Sequence, residues 1–199
     1  DPLRYIGIEP QDRNLCMPLK SDSQVWVKEL FRQEGIKETD RLLVIHPAAS
    51  CPSKIWPSLR FAEVADALAQ KYGLKVLLVA GAKDIKIAED LVSQLKSPSL
   101  NLAGKTSVSQ LASLLKRASL FISNDSGPVH IASALGVPVI AIFGRNQQGL
   151  SPTRWGPLGP KSRTLHKEVG CVQCLAHNCD REFACLKAIS VEEVLKAAD

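Results

Sequence analysis

The sequence lacks any apolar run long enough to cross a bilayer. A membrane-spanning helix needs roughly 18 to 20 consecutive apolar residues, and every apolar stretch in these 199 residues is interrupted sooner. The beginning of the chain, Asp1-Pro-Leu-Arg4, also lacks the basic segment and apolar core of a secretory signal. We therefore expect the chain to act in the cytoplasm, or to begin partway through a longer protein.

Three glycine-containing signatures are also missing. The sequence contains neither G-x-G-x-x-G nor G-x-x-x-x-G-K-[ST], so it supports neither the standard dinucleotide fingerprint nor a P-loop. It has no G-x-S-x-G either, which argues against an α/β-hydrolase in spite of Ser126, His130 and several acidic residues.

Asp and Glu are absent from residues 126–167, although the whole chain has 20 of them. The basic residues of this stretch are Arg145, Arg154, Lys161, Arg163 and Lys167. Such a field attracts phosphorylated small molecules, anionic lipid headgroups or nucleic acid. Nucleic acid is disfavoured, because the chain has no known nucleic-acid module and its basic residues are interspersed with Gly and Pro rather than with aromatic residues.

What is present indicates a regular α/β domain. Short apolar runs alternate with segments whose apolar residues recur at helical spacing. The predicted strands are residues 42–45, 76–80, 100–102, 120–122 and 137–143, and the predicted helices are residues 23–34, 57–72, 85–95, 108–117, 129–135 and 191–198. Capping boxes are expected at Ser107 with Gln110 and at Ser190 with Glu193. Five buried strands separated by helices predict a Rossmann-like, doubly wound parallel sheet with right-handed crossovers.

The turn after the fourth predicted strand has the features of an anion site. Asn124-Asp-Ser-Gly127 stops the strand, and Pro128 supplies the backbone angle favoured at a first helical position. A strand, a tight turn and a helix in this order point free backbone N–H groups at an anion. His130 lies four residues after Ser126, so one helical turn brings it over the same end. The alternative is that Asp125 and Ser126 only cap the helix.

Polar residues also follow the other predicted strands. Ser50 and Lys54 lie in a long loop after the first strand, Asp84 follows the second, and Thr106 follows the third. In an open parallel sheet these loops meet at the carboxyl edge, where ligands bind. A Lys suits a phosphate and an acid suits ribose hydroxyls. Taken singly, each signal is weak, because Lys54 is otherwise a solvated loop cation and Asp84 an acid at a helix N-terminus. Their convergence on one sheet edge is stronger than any one of them.

Three motifs, taken together, resemble those of one known protein family. They are Pro47-x6-Lys54-Ile-Trp-Pro57, Asn124-Asp-Ser-Gly-x-x-His130 and Gly136-Val-Pro-Val-Ile-Ala-Ile-Phe-Gly144. The set resembles glycosyltransferase family 9, the lipopolysaccharide heptosyltransferases and their relatives. The resemblance covers roughly residues 40–199 and implies the carboxy-terminal, donor-binding half of a two-domain GT-B fold. It also implies inverting, metal-independent transfer from ADP-heptose to the lipopolysaccharide inner core, at the cytoplasmic face of the inner membrane.

The resemblance assigns roles to eight residues. Ser50 and Lys54 match positions that contact the donor diphosphate, Asp84 lies near a position that holds the ribose, and Thr106 lies where a loop lines the adenine. The residues that match the corner binding the diphosphate and the sugar are Asp125, Ser126, Gly127 and His130. The resemblance implies no cofactor or metal, so the charge of the leaving diphosphate must be stabilised by a helix N-terminus, a Lys and hydrogen-bond donors.

Family members are much longer than this chain, and the resemblance implies that their amino-terminal domain carries the acceptor site and the catalytic carboxylate base. Residues 1–40 resemble the interdomain linker and first helix, and residues 41–199 resemble the donor-binding domain with a Cys-containing tail. We therefore expect no catalytic residue in this chain, and nucleotide binding with little or no transfer. The expected partners are ADP-heptose or another nucleotide sugar, the lipopolysaccharide core through the absent domain, and an anionic membrane surface, but not nucleic acid.

Four cysteines form a second cluster, Cys171-x2-Cys174-x4-Cys179-x5-Cys185. Four thiolates suit Zn²⁺, but the spacers x4 and x5 are short for a separate second half-site. Disulfides require an oxidising environment, and reduced structural cysteines are the third alternative. We assign no metal from this pattern.

Two other functions remain open at this point. One is a GT-B transferase that uses a different nucleotide sugar. The other is a non-catalytic nucleotide-binding or interaction module whose basic edge contacts anionic lipid or a partner.

Overall fold

The computed structural model describes residues 2–9, 15–147, 149–171 and 173–199, and their central feature is one parallel sheet. Its strands are β1 (Leu42–His46), β2 (Lys75–Leu78), β3 (Ser99–Asn101), β4 (Leu120–Asn124), β5 (Val139–Ile142) and β6 (Ser162–Leu165). The order across the sheet is β3-β2-β1-β4-β5-β6, and every neighbouring pair is parallel. In the register at the centre of the sheet, Val44 lies opposite both Leu77 and Phe121.

The strands are connected mainly by helices. The α-helices of the described residues are α1 (Pro2–Tyr5), α2 (Ser21–Gln33), α3 (Ser58–Tyr72), α4 (Ile85–Val92), α5 (Val108–Leu115), α6 (Gly127–Ala134), α7 (Pro152–Trp155), α8 (Ala184–Lys187) and α9 (Val191–Ala198). Short 3-10 helices span Pro52–Lys54, Ala82–Asp84 and Ala176–Asn178. Across these ranges, no helix has the combined length and apolar character that crossing a membrane would require.

The sheet is buried on both faces, as β1 illustrates. Successive side chains of a strand point to opposite faces. Leu43 and Ile45 pack into a cluster with α3, α4 and α9, whereas Leu42 and Val44 pack into a cluster with α2, α5 and α6. Burial on both faces explains why the central strands are nearly continuous apolar runs.

Helix α2 belongs to this core. Val27 and Phe31 lie one helical turn apart and are both buried in the cluster that also holds Leu114 and Leu115 of α5. The helix therefore packs into the sheet domain on the same face as α5 and α6.

The strand order places a crevice at the middle of the sheet. β2 and β3 extend the sheet from β1 on one side, whereas β5 and β6 extend it from β4 on the other. The loops that leave β1 and β4 therefore diverge, and ligands of doubly wound folds bind at this point beyond the carboxyl ends of the strands.

The predicted parallel α/β sheet and both capping boxes are confirmed. The predicted number of strands is wrong, because β6 was not expected. This edge strand has the sequence Ser-Arg-Thr-Leu, with two of its four residues exposed, so it carries no buried apolar run that would signal it. Element ends also differ: the strand predicted over 137–143 covers only Val139–Ile142.

Candidate functional site

A cleft of about 890 Å³ lies at the carboxyl edge of the sheet, over the crevice between β1 and β4. All eight residues that the sequence singled out line it: Ser50, Lys54, Asp84, Thr106, Asp125, Ser126, Gly127 and His130. The fold thus brings four separate loops together at one site.

The loop after β1 is tied to the end of β4 by a buried amide. Asn124 Nδ2 donates to the carbonyl of Pro47 at 2.6 Å, and its Oδ1 accepts the backbone N–H of Trp56 at 3.0 Å. Trp56 is itself fully buried; its ring packs edge-on against Phe61, and its indole N–H donates to Ile189 O at 3.1 Å. These contacts hold Lys54, two residues before Trp56, beside the turn after β4.

Lys54 and Asp125 form an ion pair within the cleft. The Lys54 Nζ lies 2.7 Å from Asp125 Oδ2, and the two side chains are only 14% and 10% exposed. Arg145 Nη2 lies 4.0 Å from the same carboxylate oxygen. The alternative that Lys54 is a solvated loop cation is therefore wrong.

The start of α6 faces the same space. Ser126 occupies the N-cap position with an extended backbone, and its side chain makes no capping hydrogen bond. Its Oγ lies instead 3.0 Å from Ser123 Oγ and 3.2 Å from His46 Nδ1. The alternative that Asp125 and Ser126 only cap the helix is wrong, since Asp125 pairs with Lys54 and Ser126 with these two groups. The first-turn N–H groups of a helix have no partner within the helix and favour an anion.

His46, the last residue of β1, supports this turn as a neutral group. It is 8% exposed, and burial lowers its pKa from 6.5 to about 4, although the negative charge of Asp84 acts in the opposite direction. The ring is therefore uncharged at neutral pH.

Apolar side chains also line the cleft. Val79, Val108 and Leu111 are among its lining residues, as is Thr106. Asp84, another lining residue, occupies the N-cap position of α4, where its side chain makes no capping hydrogen bond. The cleft therefore offers a ligand apolar contacts as well as charged and polar groups.

A family model described as glycosyltransferase family 9 (heptosyltransferase) matches residues 15–184. The chain belongs to this family. Its curated relatives include lipopolysaccharide heptosyltransferase 3 of Escherichia coli, 32% identical, with 99% of this chain and 56% of the relative covered. Lipooligosaccharide heptosyltransferase 2 of Campylobacter jejuni is 27% identical, with 97% and 59% covered. The chain thus spans a little over half the length of these relatives.

Solved family 9 structures share the fold. The ADP-heptose LPS heptosyltransferase II of E. coli superposes with a TM-score of 0.76 at 25% identity, covering 96% of this chain and 54% of that one. A family 9 glycosyltransferase from Veillonella parvula gives 0.82 at 26% identity, covering 98% and 56%. The expected fold, a Rossmann-like half of a GT-B glycosyltransferase, is confirmed.

Several residues of this family 9 cleft were not predicted as site residues, among them His46, Arg145 and Trp155. Arg145 directly follows the glycine after β5, and a polar residue just past a strand end at the carboxyl edge is a signal that could have found it. Trp155 comes from the distant helix α7 and lies 6.2 Å from the His130 ring, measured between centroids. Nothing in the local sequence predicts the contact between these two rings.

The four clustered cysteines of the family 9 domain do not line the cleft but surround a separate cavity of about 50 Å³. All are free thiols, and Cys185 donates to the carbonyl of Gly144 at 2.9 Å. Burial raises the pKa of the Cys185 thiol, and the neighbouring thiols raise it further. Within the residues that the structure describes, no three His, Cys, Asp or Glu side chains are arranged to hold a metal ion.

Proposed function

We propose that this domain binds the nucleotide-sugar donor of an inverting heptosyltransferase, ADP-heptose, in the cleft at the carboxyl edge of the sheet. The observation that carries the proposal is the corner formed by Lys54, Asp125 and the start of α6, at the point where the strand order reverses. The similar E. coli heptosyltransferase II, named for ADP-heptose, supports this choice of donor.

The chemistry of the donor fits the distribution of groups in the cleft. The departing group is a nucleoside diphosphate, whose charge must be met as the glycosidic bond breaks. The start of α6 and Lys54 stabilise that negative charge, and Ser50 and His130 contribute hydrogen bonds to it. Asp84 holds the ribose hydroxyls, and the adenine lies near Thr106 and the apolar side chains that line the cleft. In this arrangement no metal is needed for the transfer.

The transfer itself needs a base, and neither of the two carboxylates among the described lining residues, Asp84 and Asp125, is available for that role. A base must lie within hydrogen-bond reach of the acceptor hydroxyl. Asp125 is already paired with Lys54, and Asp84 is assigned to the ribose. We therefore place the catalytic carboxylate and the acceptor site outside these 199 residues, in the part of the relatives' length that this chain does not span.

The acceptor and the location follow from the same proposal. Both curated relatives are named for lipopolysaccharide or lipooligosaccharide, so the acceptor is the core of that lipid, met at the cytoplasmic face of the inner membrane. The acid-free stretch 126–167 supplies positive charge for an anionic membrane surface.

Titration calorimetry with ADP, UDP and GDP tests the choice of nucleotide. We expect ADP to bind most tightly and Ser126→Ala to weaken its binding. A matched Ser162→Ala variant, on the edge strand β6 and outside the cleft, should bind ADP as the unmodified domain does. A clear preference for UDP would instead indicate another nucleotide-sugar transferase. Absence of binding for all three would indicate an interaction module, and vesicles containing anionic lipid would then be the next ligand to test.

A further inference from the structure

Arg145 is a buried cation in the wall of the donor cleft. Its side chain is 9% exposed, its Nε is buried without a hydrogen-bond partner, and its Nη2 is 4.0 Å from the nearest carboxylate oxygen, beyond hydrogen-bond distance. Burying a charged group without strong partners is unfavourable. A guanidinium offers five N–H donors, and the described part of the chain leaves this one poorly satisfied.

The charges of the three side chains around Asp125 Oδ2 do not balance. Asp125 supplies one negative charge, whereas Lys54 and Arg145 supply two positive charges within 4.0 Å of its Oδ2. Lys54 makes the short contact with that oxygen, at 2.7 Å, so the carboxylate is committed mainly to the lysine. His46 adds no charge near neutral pH. The three side chains therefore leave one excess positive charge in a place that is largely shielded from water.

The backbone brings the two cations together by a close approach. A Cβ at Gly144 would collide with the carbonyl oxygen of Ser53, so only glycine allows the segment after β5 to lie against the 3-10 helix Pro52–Lys54. Arg145 follows Gly144 directly and Lys54 follows Ser53 directly. The glycine contact thus sets both side chains on one wall of the cleft.

We propose that Arg145 binds the outer phosphate of the nucleoside diphosphate, the one that bears the sugar, and so makes this site select diphosphates over monophosphates. This inference rests on the proposed function. A phosphate accepts two parallel N–H bonds from one guanidinium, and it supplies the negative charge that the corner lacks. Arg145 then acts with Lys54 where other enzymes use a divalent cation to neutralise a leaving diphosphate.

Calorimetry with ADP and AMP at one ionic strength tests the assignment in three variants. Arg145→Gln should weaken ADP binding by roughly 10- to 100-fold, the range for hydrogen bonds to charged groups, and AMP binding by less than about threefold, since AMP lacks the outer phosphate. Arg145→Lys keeps the charge without the planar fork and should fall between. Arg32→Gln, which removes an exposed arginine of α2 outside the cleft, should leave both affinities unchanged.

The outcomes separate this inference from the proposed function. If the unmodified domain binds neither nucleotide, the proposed function itself fails. If it binds ADP and Arg145→Gln changes the ADP and AMP affinities equally, or changes neither, the assignment of Arg145 is wrong while the proposed function stands. Circular dichroism melting of each variant checks folding, and if Arg145→Gln does not fold, the ADP-to-AMP affinity ratio of Arg145→Lys decides.

Discussion

The buried His46 makes the stability of this domain depend on pH in a range where carboxylates contribute little. Its pKa is 6.5 in the unfolded chain and about 4 in the fold, mainly because of burial. Between these values the unfolded state binds a proton that the native state does not, so stability is fully present above pH 6.5 and falls as the pH drops toward 4. At about 1.36 kcal/mol per unit, the total loss is about 3 kcal/mol.

Urea unfolding at half-unit steps from pH 7.5 to 4.5 measures this loss directly. The unmodified domain should lose about 2 to 3 kcal/mol of unfolding free energy over this range. His46→Gln cannot take up the proton, so its stability should change much less with pH, whatever its stability at pH 7. His177→Gln removes an exposed histidine and should keep the full pH dependence.

Carboxylates act at the lower end of this range and below it. The pKa of Glu29, for example, is lowered to about 2 by its hydrogen bonds to Arg32 and Gln33, so its contribution lies near pH 2 to 4.5. The difference between the two histidine variants therefore isolates His46. Equal slopes in both variants, or a flat profile in the unmodified domain, would show that His46 is not buried in its neutral form.

Two further predictions follow from the same corner. Lys54→Ala should weaken ADP binding by roughly 1.5 to 3 kcal/mol and AMP binding much less. The reason is that the lysine binds the diphosphate, and its loss leaves the Asp125 carboxylate facing the anion. Calorimetry that finds equal losses for AMP and ADP would contradict this role. The 199-residue chain should also show no heptose transfer to a lipopolysaccharide core acceptor at saturating donor, measured by mass spectrometry of the acceptor, and turnover that Asp125→Asn abolishes would place the base within this chain.

Much of the site could be predicted because its signals are local. The turn Asn124–Gly127 with Pro128 predicts a strand end and a helix start whatever the rest of the chain does. The capping boxes at Ser107 and Ser190 behave in the same way. Loops that follow the strands of a parallel sheet must meet at one edge, so the placement of Ser50, Lys54, Asp84 and Thr106 on a single cleft also followed from periodicity.

Features that depend on contacts between distant segments could not be predicted from local sequence patterns. Strand β6 is an edge strand whose exposed Arg163 and Thr164 give no apolar run, and its place in the sheet comes only from pairing with β5. The side-chain partners of Asp125 are 71 and 20 residues away. A sequence pattern can place each residue near an edge, but it does not say which way its side chain turns.

The sequence by itself determined the fold class, the carboxyl-edge site and the motifs that mark family 9, because each depends on local turn chemistry or on the alternation of apolar segments. Tertiary structure alone decided that Lys54, Asp125 and Arg145 form one unbalanced charge cluster and that His46 is held neutral. The reason is physical: charge balance and pKa depend on distances of a few ångströms and on exclusion of water, and both arise only when β1, β4 and β5 are packed side by side.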